Sequence, residues 1–226
     1  MRHGIWILVG CSLGCSGGDK VPSPREQPSL ISAERLAAFD AAVEPLRQAL
    51  DVPGVAIALV ENGRTVFAKG YGLRDVESGA PVTADTIFRI GSLTKSFSSA
   101  LVATLVDDGA LTFDTRAKDI APNLQLPTAE LTDQTTIHEL LGMGTGLGGP
   151  SGFWWDYPAP EDLLATLPTL AVIGPKGTFF YSNEVYASGT YLALEAAKPS
   201  DDLASAYARL VNERLFEPLA MSPAAV

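Results

Sequence analysis

A chain of 226 residues with 46% apolar and 19% charged content is long enough to bury a core of its own, which excludes a disordered chain and a miniprotein that depends on disulfides. At about 150 residues per domain, the length corresponds to roughly one and a half domains. Lys and Arg number 16 against 26 Asp and Glu, so the net charge is −10 and the chain carries no basic footprint for nucleic acid.

Thiols and imidazoles are scarce. The 2 cysteines are Cys11 and Cys15, and the 2 histidines are His3 and His138. Past Cys15 a single histidine remains, which argues against a Cys/His zinc site, a disulfide framework and a cysteine nucleophile. A Ser-His-Asp triad would have to use His138, so a hydrolase built on this chain calls for another base.

In chain order, Arg2 precedes a mostly apolar run from Ile5 to Leu13. The run is too short to cross a bilayer, which takes about 20 residues, and it reads as the core of a signal peptide over residues 1–15. Leu8-Val9-Gly10-Cys11 resembles a bacterial lipobox, and Ser12-Leu13-Gly14-Cys15 resembles a looser one. Lipid attachment is therefore expected at Cys11 or at Cys15. Residues 16–31 begin SGGDKVPSPREQPS, a composition that cannot bury enough surface to fold and predicts a flexible linker. The expected location is outside the cytoplasm, with the membrane reached through a lipid anchor only.

Ser32 is a candidate N-cap for a helix over roughly 33–50, with Leu36, Phe39, Val43, Leu46 and Leu50 at three- and four-residue spacing. Pro53-Gly54 ends it. Val55 to Val60, Asn62-Gly63 and Thr65 to Tyr71 read as strand, type I′ turn and strand, a β-hairpin. After a glycine-punctuated loop, a helix is predicted from about Ser92 to Asp108, with Phe97, Leu101 and Leu105 on its apolar face and Gly109 as its stop. Further helices are expected from Thr136 to Leu141, over 161–167, over 185–197 and over 203–216. The glycine-rich stretch 142–152 lacks the spacing of a phosphate-binding loop. Phe153, Trp154, Trp155 and Tyr157 after it would line a cleft if exposed and form core if buried. A helix, a hairpin and then a series of helices predict an α+β fold with a helical subdomain.

Two short motifs carry chemistry. In Ser92-Leu93-Thr94-Lys95 the serine and lysine share a helical face. A serine hydroxyl is a weak nucleophile until a neighbour takes its proton, and a lysine amine one turn away can approach it. The bland reading is an N-cap serine with a solvated lysine. In Tyr181-Ser182-Asn183 a phenol could shuttle that proton and an amide could hold a carbonyl or fix the lysine. Taken alone, it reads as a buried tyrosine beside a turn asparagine.

Their surroundings are more specific. Phe88-Arg89-Ile90-Gly91-Ser92-Leu93-Thr94-Lys95-Ser96-Phe97 resembles the nucleophile segment of the serine β-lactamase and penicillin-binding-protein superfamily, in the branch of class C β-lactamases, DD-peptidases and esterases. The resemblance continues through Leu111 to Asp114, Thr136 to Leu141, Gly144 to Leu147, Pro175 to Asn183 and Phe216 to Met221, in order, from about residue 32 to the end. It implies that Ser92 is the acylated nucleophile, that Lys95 activates it, that Tyr181 acts as or shares the general base, and that Asn183 positions substrate or lysine. It implies an ester, amide or β-lactam carbonyl as the point of attack, with a small molecule, a peptidoglycan peptide or an ester as substrate, and no metal or organic cofactor. His138 falls where this family places no catalytic residue and reads as structural.

Two departures accompany the resemblance. The family's third motif, Lys-Thr-Gly or a His-x-Gly variant on a late core strand, does not occur in this sequence. On that basis residues 32–226 are expected to be an incomplete domain lacking the last strands of its sheet. The chain is then either a shortened serine hydrolase or a catalytically inactive, surface-tethered remnant or binding lipoprotein. The second departure is Gly142-Met143-Gly144-Thr145, which stands where relatives commonly show Thr-His-Thr-Ser.

Overall fold

A computed structural model describes residues 30–148 and 159–221. The expected signal peptide, Cys11, Cys15, most of the linker and the aromatic group Phe153, Trp154, Trp155 and Tyr157 lie outside the described residues. The chain divides after Phe88 into two compact units.

The first unit is a helix and an antiparallel sheet. Helix α1 (Ala33–Ala49) starts where expected, because the Ser32 hydroxyl accepts the Arg35 backbone N–H. Strands β1 (Gly54–Glu61) and β2 (Arg64–Asp75) pair antiparallel, and a short β3 (Ala80–Pro81) joins β2 on its other edge. The hairpin turns on Asn62 and Gly63, whose φ angles of 51° and 71° are both left-handed, the requirement of a type I′ turn. Helix α1 is fastened to β2 by Asp40, which accepts from Lys69 Nζ and from the Tyr71 hydroxyl, each at 2.6 Å. Phe39 meets Phe67 edge to face at 5.6 Å between ring centres. The apolar stripe of α1 is only partly used: Val43 is buried, whereas Leu46 and Leu50 stay exposed.

The second unit is mostly helical. A 3₁₀ turn, Gly91–Leu93, leads into α2 (Thr94–Asp107), so Ser92 sits in the turn that precedes the α-helix and not within it. Two short helices follow that the periodicity does not reveal, α3 (Ala117–Ile120) and α4 (Ala129–Gln134). Helix α5 (Ile137–Leu141) opens with a capping box between Thr136 and Glu139. Strands β4 (Leu147–Gly148) and β5 (Ala171–Val172) form a two-residue ladder on either side of α6 (Pro160–Thr166). Helix α7 (Asn183–Ala196) begins two residues earlier than expected, with Ser182 as its N-cap. Helix α8 (Leu203–Val211) ends in a π-helical turn, Asn212–Phe216, where one continuous helix was expected.

Helix α7 is the axis of this unit. Val185, Leu192 and Leu194 are fully buried, as are Ser188 and Ala193 on other sides of the helix. A helix buried all round has neighbours on every side. Its neighbours include α2, with Leu101, Val102 and Leu105 in the same core, and α5, with Ile137 and Leu140. Phe97 of α2 packs edge to face on Phe216 at 5.7 Å. The start of α2 and the start of α7 are thereby held together at one end of the core.

Candidate active site

At that end of the second unit, four side chains from the two sequence motifs converge. Gly91 has φ of 54°, a left-handed value that an L side chain resists, and it turns the backbone into the 3₁₀ turn with the exposed Ser92 next in line. The first hydrogen bond of that turn runs from the Leu93 N–H to the Ile90 carbonyl at 3.2 Å, so the Ser92 N–H precedes the bonded run. One turn on, Lys95 reaches back over the serine.

The second pair is set by the start of α7. The Ser182 hydroxyl accepts the Val185 N–H at 3.2 Å and donates to Glu184 Oε2 at 2.9 Å. This places Tyr181 just before the N-cap and Asn183 at the first helical position. The glycine-rich loop holds the approach to Tyr181 by its backbone. Gly177 N–H donates to the Gly144 carbonyl at 2.8 Å, Phe180 N–H to the Met143 carbonyl at 3.1 Å, and Gly146 N–H to the Thr178 carbonyl at 3.1 Å. Lys176 adds an ion pair with Glu139 at 3.1 Å. The loop that departs from the family pattern therefore serves as a platform for residues 177–180.

The resulting geometry is tight. Ser92 Oγ and the Tyr181 hydroxyl share a hydrogen bond of 2.5 Å. Lys95 Nζ donates to Asn183 Oδ1 at 2.6 Å, to the Tyr181 oxygen at 2.9 Å and to Ser92 Oγ at 3.3 Å. These three acceptors match the three donors of an ammonium group. The same nitrogen lies 4.8 Å from the centre of the Tyr181 ring. Burial pushes the Tyr181 phenol up, but the hydrogen bonds from Lys95 and with Ser92, together with the lysine charge, outweigh it and leave the phenol below its usual value of 10.0.

Chemically, two donors converge on one phenolic oxygen. That favours its ionised form and equips it to take a proton from Ser92. Lys95 Nζ is held beside them by its hydrogen bonds to Ser92, Tyr181 and Asn183. His138 is exposed on α5 and has no part in this hydrogen-bond network. Sequence reasoning missed Tyr186 of α7, a buried residue whose hydroxyl donates to the Lys95 carbonyl. The available signal was its place three residues after Asn183, on the same helical face. The platform loop was also missed, because backbone hydrogen bonds leave no residue-type signature.

A family model described as Beta-lactamase matches residues 39–225. The chain belongs to the beta-lactamase family. Among curated members it is 31% identical over 189 residues to penicillin-binding protein 4 of Amycolatopsis lactamdurans, covering 81% of this chain and 46% of that protein. It is 30% identical over 191 residues to the unguisins hydrolase ungD of Aspergillus violaceofuscus, covering 76% of this chain and 31% of the relative. Among solved structures, the octameric penicillin-binding protein homologue from Pyrococcus abyssi superposes with a TM-score of 0.67 at 28% identity, over 84% of this chain and 43% of that one. The chain spans less than half the length of each of these relatives. The mixed helix and antiparallel sheet agree with the beta-lactamase and penicillin-binding-protein fold, and the beta-lactamase family is one of serine hydrolases.

Proposed function

We propose that this protein is a serine hydrolase that works through an acyl-enzyme, with Ser92 as nucleophile, Tyr181 as general base, Lys95 as the cation that supports it and Asn183 as the residue that holds the lysine. The observation that carries the reading is the contact of Ser92 Oγ with both the Tyr181 oxygen, at 2.5 Å, and Lys95 Nζ, at 3.3 Å. In the first half-reaction the Ser92 proton passes to the Tyr181 phenolate as Oγ bonds to the substrate carbonyl carbon. The carbonyl electron pair moves to oxygen, which faces the Ser92 N–H as one oxyanion donor. Collapse expels the leaving group, which takes the proton from Tyr181. Water then repeats the sequence on the acyl-serine, releasing the acid and restoring the serine hydroxyl.

Substrates of this chemistry are esters, amides such as D-Ala-D-Ala peptides, and β-lactams; one scaffold hosts them all. For the location we propose a lipid anchor outside the cytoplasm at Cys11 or Cys15, supported by Arg2 and the apolar run that follows it. Radiolabelled palmitate that is not incorporated would remove the anchor.

Intact mass spectrometry of the full chain after incubation with a penicillin, and separately with a fluorophosphonate, tests the hydrolase reading. An adduct that disappears in Ser92→Ala is the expected result. No adduct on a folded chain would favour an inactive binding protein, and an adduct that persists in Ser92→Ala would remove the assignment of the nucleophile.

A further inference from the structure

Lys95 stands where the turn before α2 meets the start of α7. Among the described residues its partners are two hydroxyls, one amide oxygen and two aromatic faces. The second of those faces belongs to Tyr186, whose ring centre lies 5.4 Å from Lys95 Nζ. Tyr186 is 6% exposed, on the face of α7 that also carries Asn183. Its hydroxyl donates to the Lys95 backbone carbonyl and shares a 2.5 Å hydrogen bond with Ser99 Oγ, one turn along α2 from Lys95. One side chain thus holds the lysine at both ends, its carbonyl through the hydroxyl and its ammonium through the ring.

We propose that Tyr186 is a positioning residue for Lys95, the hydroxyl fixing the lysine backbone against α7 and the ring face stabilising the charged amine beside Ser92 and Tyr181. The proposal deepens the hydrolase reading and rests on it for its link to Ser92. The physical basis is separate from that reading. An aromatic face within about 6 Å of an ammonium stabilises the cation through the ring quadrupole. A buried phenol also needs a partner for its hydroxyl, and here the partners are the lysine's own carbonyl and its helical neighbour. Burial, the main cause, raises the Tyr186 phenol above its ordinary value, so it remains a neutral donor. The groups facing the ammonium are Ser92 from the 3₁₀ turn, Tyr181 from the approach to α7, and Asn183 and Tyr186 from α7 itself.

The test is the titration of Lys95 in the full chain, followed by NMR of isotope-labelled lysine and assigned by the resonance lost in Lys95→Arg. Tyr186→Leu removes the ring, so the Lys95 midpoint should fall below that of the wild-type chain. Tyr186→Phe keeps the ring, so its midpoint should stay at the wild-type value. If the Leu variant does not fold, phenylalanine with a trifluorinated ring at position 186 keeps the size and removes the negative ring face; its midpoint should fall as well. An unchanged midpoint in the folded ring-altered variant overturns the role of the ring. In parallel, Ser92 modification by a fluorophosphonate should slow several-fold in Tyr186→Phe, through the loosened Lys95 backbone, and an unchanged rate overturns the role of the hydroxyl. Should the wild-type chain give no Ser92-dependent adduct, the hydrolase reading fails, and the lysine titration still decides whether Tyr186 holds the charge.

Discussion

Ser92 Oγ and the Tyr181 oxygen lie 2.5 Å apart although 89 positions separate them in the chain. The contact joins the turn before α2 to the residue before the N-cap of α7. Neither residue sits inside an α-helix, yet each is placed by the start of one, because both helices start at the same end of a shared core. A site held in this way depends on the starts of the helices more than on their lengths.

The first prediction concerns pH. The phenol of Tyr181 is held below 10.0 by Lys95 and Ser92 against the opposing effect of burial. The ionised form accepts the serine proton, so modification of Ser92 should accelerate as pH rises through the Tyr181 value and level off above it. The inflection should fall below 10.0, the usual value. Tyr181→Phe should remove that limb and slow the reaction by about 10²–10⁴-fold. Rates of fluorophosphonate modification between neutral and alkaline pH check both points, and a profile that keeps its limb in Tyr181→Phe would assign the base elsewhere.

Asn183 is predicted to act through the lysine. Its Oδ1 accepts from Lys95 Nζ at 2.6 Å, the shortest of the lysine's three hydrogen bonds. Asn183→Ala removes a bond to a charged group, a loss of about 1.5–3 kcal/mol, or roughly 10–10²-fold in the rate of Ser92 modification. Asn183→Asp should also slow the reaction, since a carboxylate would draw the ammonium away from Tyr181. A wild-type rate in both variants would show that Lys95 is held by its other partners alone.

Much of this was legible from residues, and the reasons differ by element. The Ser32 cap and the Asn62-Gly63 turn are local devices, and each appears where its residues predict it. Helices α3 and α4 span 4 and 6 residues, too short to show an apolar period. Strands β4 and β5 have two residues each, so no alternation exists to be read. The predicted start of α7 falls two residues late because Asn183 reads as a turn residue beside Tyr181, whereas Ser182 caps the helix and Asn183 is already in it. Ser92, Lys95, Tyr181 and Asn183, whose side chains meet in the structure, are candidates from sequence because they stand in two compact motifs. Tyr186 is not, because a tyrosine in a helix buried all round looks like any other core residue.

Acid should loosen the first unit through α1. The hydrogen bonds from Lys69 and then Tyr71 hold the Asp40 carboxyl below its usual value, and the hydrogen bond from Arg47, chiefly, brings Glu44 down to about 2. A carboxyl depressed in the folded state adds stability above its unfolded value, about 4, and that stability is lost as pH falls through the folded value. For Glu44 the window therefore runs from about 4 down to about 2. Melting temperatures should decline over that range. The decline should be shallower in Asp40→Asn combined with Glu44→Gln, and equal slopes would place the acid sensitivity elsewhere.

The last prediction is for Ser182. It is 5% exposed and makes two hydrogen bonds at once, accepting the Val185 N–H and donating to Glu184, itself 2% exposed. The other carboxylate oxygen of Glu184, Oε1, is buried without a hydrogen-bond partner among the described residues. Ser182→Ala therefore does more than remove a cap. Loss of the cap costs about 1 kcal/mol. Leaving the buried carboxylate without its remaining side-chain donor adds about 1–3 kcal/mol. The sum, about 2–4 kcal/mol, should appear in urea unfolding of the full chain. Ser182→Ala combined with Glu184→Leu should recover part of the loss, because removing both partners leaves no orphaned polar group. The same substitution should slow Ser92 modification, since Tyr181 and Asn183 flank the cap on either side. If Ser182→Ala costs less than about 0.5 kcal/mol, the range of an ordinary surface change, Glu184 is satisfied without it and the cap does not hold the site.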